Sequence, residues 1–87
     1  MDTRTILIVE DEKIIAEDIK TTLIKFNYNV PIIVGNGEKA VKKAKELKPD
    51  LILMDIMIEG SINGIEAAKR INREFEIPII FLTAYSD

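Results

Sequence analysis

The 87-residue sequence contains no cysteine and no histidine. These two absences exclude disulfides, thiolate chemistry, zinc sites built from Cys and His, and nucleophiles that a histidine base activates. Any side-chain chemistry must therefore use carboxylates, hydroxyls, lysines or a hard metal ion.

Long apolar runs and a basic surface are also missing. The run ILIV before Glu10 is too short for a signal-peptide core or a membrane span. The formal net charge of −3 argues against a surface that binds nucleic acid or anionic lipid. We expect a cytoplasmic protein without a direct nucleic-acid or membrane partner.

The apolar residues predict one small α/β domain over residues 1–87. They make up 47% of the sequence, enough for one core but not for two. Thr5–Val9 is a continuous apolar run, typical of a strand that is covered on both faces. The period then becomes helical over 12–26, where the stripe predicted to face inward is Ile14, Ile15, Ile19, Leu23 and Phe26.

The same alternation continues along the chain. Further strands are predicted at 30–34, 51–54 and 77–82, with helices at 36–47 and 63–75. Pro31 cannot donate a ladder hydrogen bond, which places the second strand at a sheet edge. The sequence therefore predicts a doubly wound parallel sheet with helices on both faces and the flavodoxin-like strand order 2-1-3-4.

Three carboxylates lie where this topology predicts a binding crevice. Glu10 and Asp11 follow the first strand, and Asp55 interrupts the apolar run LILMDIMIE at the end of the third. Ligands of open parallel sheets bind at the carboxyl ends of such strands. Because gathered carboxylates repel one another unless a cation is present, and oxygen ligands suit a hard cation, we expect a Mg²⁺ site.

Taken singly, each polar residue of this region also has a structural interpretation. Asp11 could cap the helix that follows it, and Asp55 could cap a turn. Thr83, after the fourth strand, could simply favour β-structure. The functional interpretation depends on these residues occurring together.

The sequence also resembles the receiver domain of two-component response regulators. The resemblance rests on LIVEDE at 7–12, DLILMDIMIEG at 50–60, NGIEAAKRI at 63–71 and PIIFLTA at 78–84, and it extends over the whole chain. It implies that Asp55 is the phospho-acceptor and that the Thr83 hydroxyl binds the phosphoryl group. It also implies Mg²⁺ ligation by Asp11 directly, by Glu10 through water, by Asp55, and by the backbone carbonyl of Met57.

The resemblance further implies a signalling role rather than that of a turnover enzyme. A sensor histidine kinase or a phosphotransfer protein would donate the phosphoryl group. The last strand, the later helices and a lysine beyond Thr83 that the family carries have no counterpart, so we expect a receiver domain that is incomplete at its C-terminus. The apolar fourth strand and the third helix would then be exposed, which predicts a homodimer through them.

Two other classes of function stay open. A receiver-like docking or dimerisation module would keep the fold without being phosphorylated. A carboxylate-dependent phosphohydrolase or mononucleotide-binding enzyme is disfavoured, because no Gly-rich phosphate loop and no acid-x-acid pair follows a strand.

Overall fold

The computed structural model describes residues 3–82, in which strands and helices alternate. The elements are β1 (Ile6–Val9), α1 (Lys13–Lys25), β2 (Ile33–Val34), α2 (Gly37–Leu47), β3 (Leu51–Asp55), α3 (Gly64–Glu74) and β4 (Ile79–Leu82). None of the three helices in this range combines the length and the apolar content that a membrane crossing requires.

The four strands form one parallel sheet in the order β2-β1-β3-β4, which confirms the predicted flavodoxin-like arrangement. Strand β2 has two residues rather than the five predicted. It begins after Pro31, whose ring nitrogen cannot donate to a ladder. Among residues 3–82, β4 pairs with β3 and forms the other edge of the sheet.

The helices cover both faces of the sheet, as the prediction of a doubly wound fold requires. Helix α1 packs on the face that carries Ile6 and Ile8. Helices α2 and α3 pack on the opposite face, where the core consists of Leu7, Val9, Val34, Ala40, Ala44, Ile52, Met54, Ile58, Ile62, Ala67, Ile71 and Ile77. Alternate residues of β1 therefore enter different cores, which explains why the whole strand is apolar.

The predicted inward face of α1 was partly wrong. Ile19 and Leu23 pack against the core, but Ile14, Ile15 and Phe26 are 86%, 39% and 71% exposed. The fully buried residue of this helix is Ala16. Its small side chain lets the helix approach the sheet closely, so the contact is narrower than the apolar stripe in the sequence.

Asparagine side chains cap the N-termini of helices α2 and α3. The Oδ1 atom of Asn36 accepts a hydrogen bond from the Lys39 N–H at 2.8 Å, at the start of α2. Asn63 accepts one from the Glu66 N–H at 2.9 Å, at the start of α3. These bonds satisfy backbone donors that the first helical turn leaves unpaired and fix where each helix begins.

Candidate functional site

The sheet brings the three predicted carboxylates together. The register of β1 on β3 pairs Val9 with Met54, so the residues that come next, Glu10 and Asp55, lie side by side at the carboxyl ends of the strands. One carboxylate oxygen from each of Glu10, Asp11 and Asp55 lies within 4.8 Å of the other two. The geometry is that of a small oxygen-lined cluster at the predicted crevice.

Glu10 is the buried member of this cluster. It is 7% exposed, and its N–H donates to the Val34 carbonyl at 2.9 Å, which extends the pairing of β1 with β2. Burial raises the pKa of Glu10 to about 7 from an ordinary value of 4.5, against the opposing effect of the Glu12 N–H that donates to its carboxylate. Asp11 and Asp55 raise this pKa further.

Of the two structural interpretations, the structure supports the turn cap at Asp55 but not the helix cap at Asp11. Helix α1 begins at Lys13 with Glu12 as its N-cap residue, so Asp11 does not occupy the capping position. Asp55 does cap a turn, because its Oδ1 accepts a hydrogen bond from the Met57 N–H at 3.1 Å. That bond occupies one lone pair of the carboxylate, which leaves other lone pairs for a ligand.

The donor set fits a hard divalent cation. Three carboxylates offer oxygen ligands within one small volume, and one of them is buried at a desolvation cost that its neighbours increase. A bound Mg²⁺ would offset both the repulsion and the burial. Ligation by Glu10, Asp11, Asp55 and the Met57 carbonyl nonetheless stays a prediction.

Buried isoleucines hold the loop that follows β3. Ile58 and Ile62 are 7% and 8% exposed and belong to the core beneath α2 and α3, whereas the side chain of Met57 is 81% exposed. Ile58 and Ile62 therefore anchor the loop in the core, while the side chain of Met57 stays in water. The exposure of the side chain agrees with a role that involves the backbone carbonyl alone.

Helix α3 begins very close to the end of β3. The Gly64 N–H donates to the Ile56 carbonyl at 3.0 Å. A Cβ at Gly64 would lie 2.9 Å from the Ile56 Cα and in closer conflict with the Asp55 carbonyl oxygen. The motif NGIEAA thus contains a glycine because the helix packs directly against the backbone of the candidate phospho-acceptor.

Glu38 and Ser61 form a contact that the sequence analysis did not identify. The Glu38 Oε2 accepts hydrogen bonds from the Ser61 hydroxyl at 2.7 Å and from the Ser61 N–H at 3.2 Å. The Ser61 hydroxyl holds the pKa of Glu38 below its ordinary value. The two residues are 23 apart and both are exposed, so neither spacing nor hydropathy signals the contact.

Thr83, the predicted phosphoryl ligand, lies outside the described residues. The residue before it in the chain, Leu82, is paired with Asp55 in the register of β4 on β3. Its role stays a prediction.

Strand β4 and helix α3 expose apolar surface. Ile80 and Phe81 are 52% and 39% exposed, and Ile65 of α3 is 44% exposed. Phe81 and Ile65 line one groove, with Lys69 and Arg73 at its side. The apolar character of β4 in the sequence predicts exposed apolar surface on this strand.

Fold and site together define a class of protein: a flavodoxin-like α/β domain with an acidic cluster at the carboxyl ends of two adjacent central strands. The sequence matches the response regulator receiver domain family over residues 6–87. The chain therefore belongs to the response regulator receiver domain family.

Similar proteins come from different regulatory systems. The chain is 40% identical over 83 residues to the phyllosphere-induced regulator PhyR of Methylorubrum extorquens, covering 94% of this chain and 31% of that protein. Its structure resembles the signal receiver domain of a modulated diguanylate cyclase from Desulfovibrio desulfuricans, with a TM-score of 0.90 and 39% identity over 97% of this chain and 67% of that one.

A second similar structure is a complex. It is the anti-anti-sigma factor PhyR of Bartonella quintana bound to the anti-sigma factor NepR, with a TM-score of 0.86 and 34% identity over 98% of this chain and 35% of that one. The chain thus spans about a third of the length of PhyR from either organism.

Proposed function

We propose that this receiver domain accepts a phosphoryl group on Asp55 in two-component signal transduction. The observation that carries the proposal is the convergence of Glu10, Asp11 and Asp55 within 4.8 Å at the carboxyl ends of β1 and β3. The chain would be a phospho-acceptor in signalling, whose chemistry is limited to its own phosphorylation and dephosphorylation, rather than an enzyme acting on a separate substrate.

Asp55 would act as the nucleophile. One carboxylate oxygen attacks the phosphorus of the donor, and the bond from phosphorus to the donor's nitrogen or oxygen breaks with its electron pair leaving on the donor. The product is an acyl phosphate on Asp55. The Met57 N–H that donates to Oδ1 fixes the orientation of the carboxylate before the attack.

Mg²⁺ would be held by Asp11, by Asp55, by the Met57 carbonyl, and by Glu10 through water. When bound, it supplies positive charge that neutralises the phosphoryl oxygens as the transfer proceeds. The Thr83 hydroxyl would donate a hydrogen bond to one of those oxygens. Glu10 remains buried beside the site, where its charge contributes to the affinity for the cation.

The proposed donor is a sensor histidine kinase or a phosphotransfer protein. Apolar side chains near the acidic cluster in the sequence are unusually exposed: Ile14 in the first turn of α1 is 86% exposed and Met57 is 81% exposed. Surface of this kind supports a protein as donor, because a complex would remove both side chains from water.

Phosphorylation by acetyl phosphate in the presence of Mg²⁺ tests the proposal directly. Intact mass spectrometry should show one added phosphoryl group on the wild type and none on Asp55→Asn, which keeps the size of the side chain and removes the nucleophile. Equal labelling of the Asn variant would place the acceptor elsewhere. Continuous release of phosphate without a labelled chain would favour the phosphohydrolase.

A docking module without phosphorylation is the second candidate. It is favoured by the Bartonella quintana PhyR structure, in which the similar protein is bound to an anti-sigma factor. Such a module would show no labelled species at any concentration of Mg²⁺ or acetyl phosphate, and Asp55→Asn would leave its partner binding unchanged.

We also propose a homodimer of this chain through β4 and α3. The exposed side chains of Ile65 and Phe81 support it, since both line one apolar groove beside β4, the edge strand among the described residues. Two copies related by a two-fold axis could bury this surface against itself.

A further inference from the structure

The loop between β3 and α3 carries one of the proposed metal ligands and is fixed at both ends. It begins after Asp55 and contains Met57, whose carbonyl is the proposed ligand. Its last turn is tied to its first by the Gly64 N–H bond to the Ile56 carbonyl at 3.0 Å. Met57 lies between these two ends, and residues 59–61 form the middle of the loop.

Helix α2 holds that middle segment. Glu38, in the first turn of α2, accepts both the Ser61 hydroxyl and the Ser61 N–H. Gly60 adopts φ +114° here, and a Cβ at this position would lie 2.8 Å from the Glu38 Oε1. Asn36 and Glu59 form an isolated parallel bridge beside this contact. The successive loop residues Glu59, Gly60 and Ser61 thus all lie against the beginning of α2.

We propose that Glu38 is a positioning residue for the acidic site: by binding Ser61 it holds the loop in the conformation that presents the Met57 carbonyl to the metal. This inference rests on the proposed function. Without the two hydrogen bonds, the loop samples other conformations, and binding of Mg²⁺ has to order it again.

The role should be separable from overall stability. Glu38 and Ser61 are exposed, so water replaces their partners when either side chain is removed. Ile58 and Ile62 still anchor the loop in the core. Removing either side chain should therefore disorder the loop locally without unfolding the domain.

The matched variants are Glu38→Ala, Ser61→Ala and Glu38→Gln, with Glu46→Ala as the control. Glu46 is exposed on the same helix and accepts a bond from Lys43 at 3.0 Å, so its removal costs a comparable surface contact. Ser61→Ala changes no charge, which separates positioning from the attraction between Glu38 and a cation. Glu38→Gln keeps an oxygen that can accept from Ser61.

Mg²⁺ binding to the unphosphorylated chain is measured by titration calorimetry. Loss of this exposed contact predicts a dissociation constant raised about two- to tenfold in Glu38→Ala and in Ser61→Ala. Glu38→Gln should lie between them and the wild type, and Glu46→Ala should match the wild type. The double variant should lose no more than either single one, because both remove the same contact.

Labelling by acetyl phosphate provides the second measurement. The rate for Ser61→Ala should fall at limiting Mg²⁺ and return to the wild-type rate at saturating Mg²⁺, a pattern that simple destabilisation does not produce. Wild-type affinity in Ser61→Ala, or an equal loss in Glu46→Ala, would overturn the inference. If the wild type itself neither binds Mg²⁺ nor becomes labelled, it is the proposed function that fails.

Discussion

Replacing Glu10 by glutamine should stabilise the protein at neutral and higher pH when Mg²⁺ is absent. The pKa of Glu10 is raised by burial from 4.5 to about 7, so the folded state holds its proton more tightly than the unfolded chain does. Stability from this group is complete below pH 4.5 and is lost as the pH rises to 7 and above.

The size of the effect follows from the difference between the two pKa values. A difference of about 2.5, at about 1.4 kcal/mol for each pH unit, corresponds to about 3 kcal/mol between the two ends of this range. Glutamine is nearly the same size, has no charge to bury, and can still accept the Glu12 N–H through its amide oxygen. The free energy of unfolding of the variant should therefore fall much less than that of the wild type as the pH rises.

Urea unfolding followed by circular dichroism measures the effect, with EDTA present and the pH varied from 4.5 to 8. The free energy of unfolding of Glu10→Gln relative to the wild type should grow with pH, to about 3 kcal/mol in favour of the variant at pH 8. Glu17→Gln is the control, because Glu17 is exposed on α1 and lies outside the cluster. A difference that is the same at pH 5 and pH 8 would refute the reasoning.

Adding Mg²⁺ should reduce the difference in stability between the two proteins at pH 8. The cation binds the folded wild type and stabilises it in proportion to the logarithm of its concentration above the dissociation constant. The variant, which has lost one carboxylate of the cluster, should gain less. If millimolar Mg²⁺ stabilises both proteins equally, Glu10 takes no part in binding the cation.

Three further predictions concern other parts of the molecule. Asp11→Ala should abolish the rise in unfolding temperature that millimolar Mg²⁺ gives the wild type, and an undiminished rise would remove Asp11 from the metal site. Gly64→Ala should destabilise the fold by about 1–3 kcal/mol in urea, because its Cβ meets the backbone of Asp55; wild-type stability would show that the helix start shifts freely. Phe81→Lys should turn a dimer into a monomer in light scattering while Ile14→Lys does not, and an unchanged mass would exclude the groove of Phe81 and Ile65 from the interface.

The sequence predicted the strand order and the place of the site for identifiable reasons. Pro31 indicated that the second strand lies at an edge of the sheet. Because the carboxyl ends of parallel strands lie at the same edge of a sheet, Glu10 and Asp55 were expected to lie close together. The inward face of α1 was harder to predict, because the spacing of Ile14 and Phe26 is that of core residues. In the structure both are exposed, and Ala16 is the residue of this helix that is fully buried.

The contact between Glu38 and Ser61 could not have been found from sequence. Both side chains are polar, exposed and common at helix starts and in loops, and their meeting depends on how α2 and the loop after β3 pack in three dimensions. Hydrophobic periodicity predicts which residues are buried, but it does not predict which polar groups on the surface form hydrogen bonds with each other.

The pairing of β1 with β3 has a kinetic consequence for the site. The Thr5 N–H bonds the Asp50 carboxylate across 45 residues, and the ladder from Ile6 to Val9 joins segments equally far apart along the chain. Contacts of such long range form late, since the intervening chain must lose its freedom first. During synthesis, the segment with Glu10 and Asp11 leaves the ribosome well before Asp55, so the acidic pocket cannot form until the chain has been synthesised past β3.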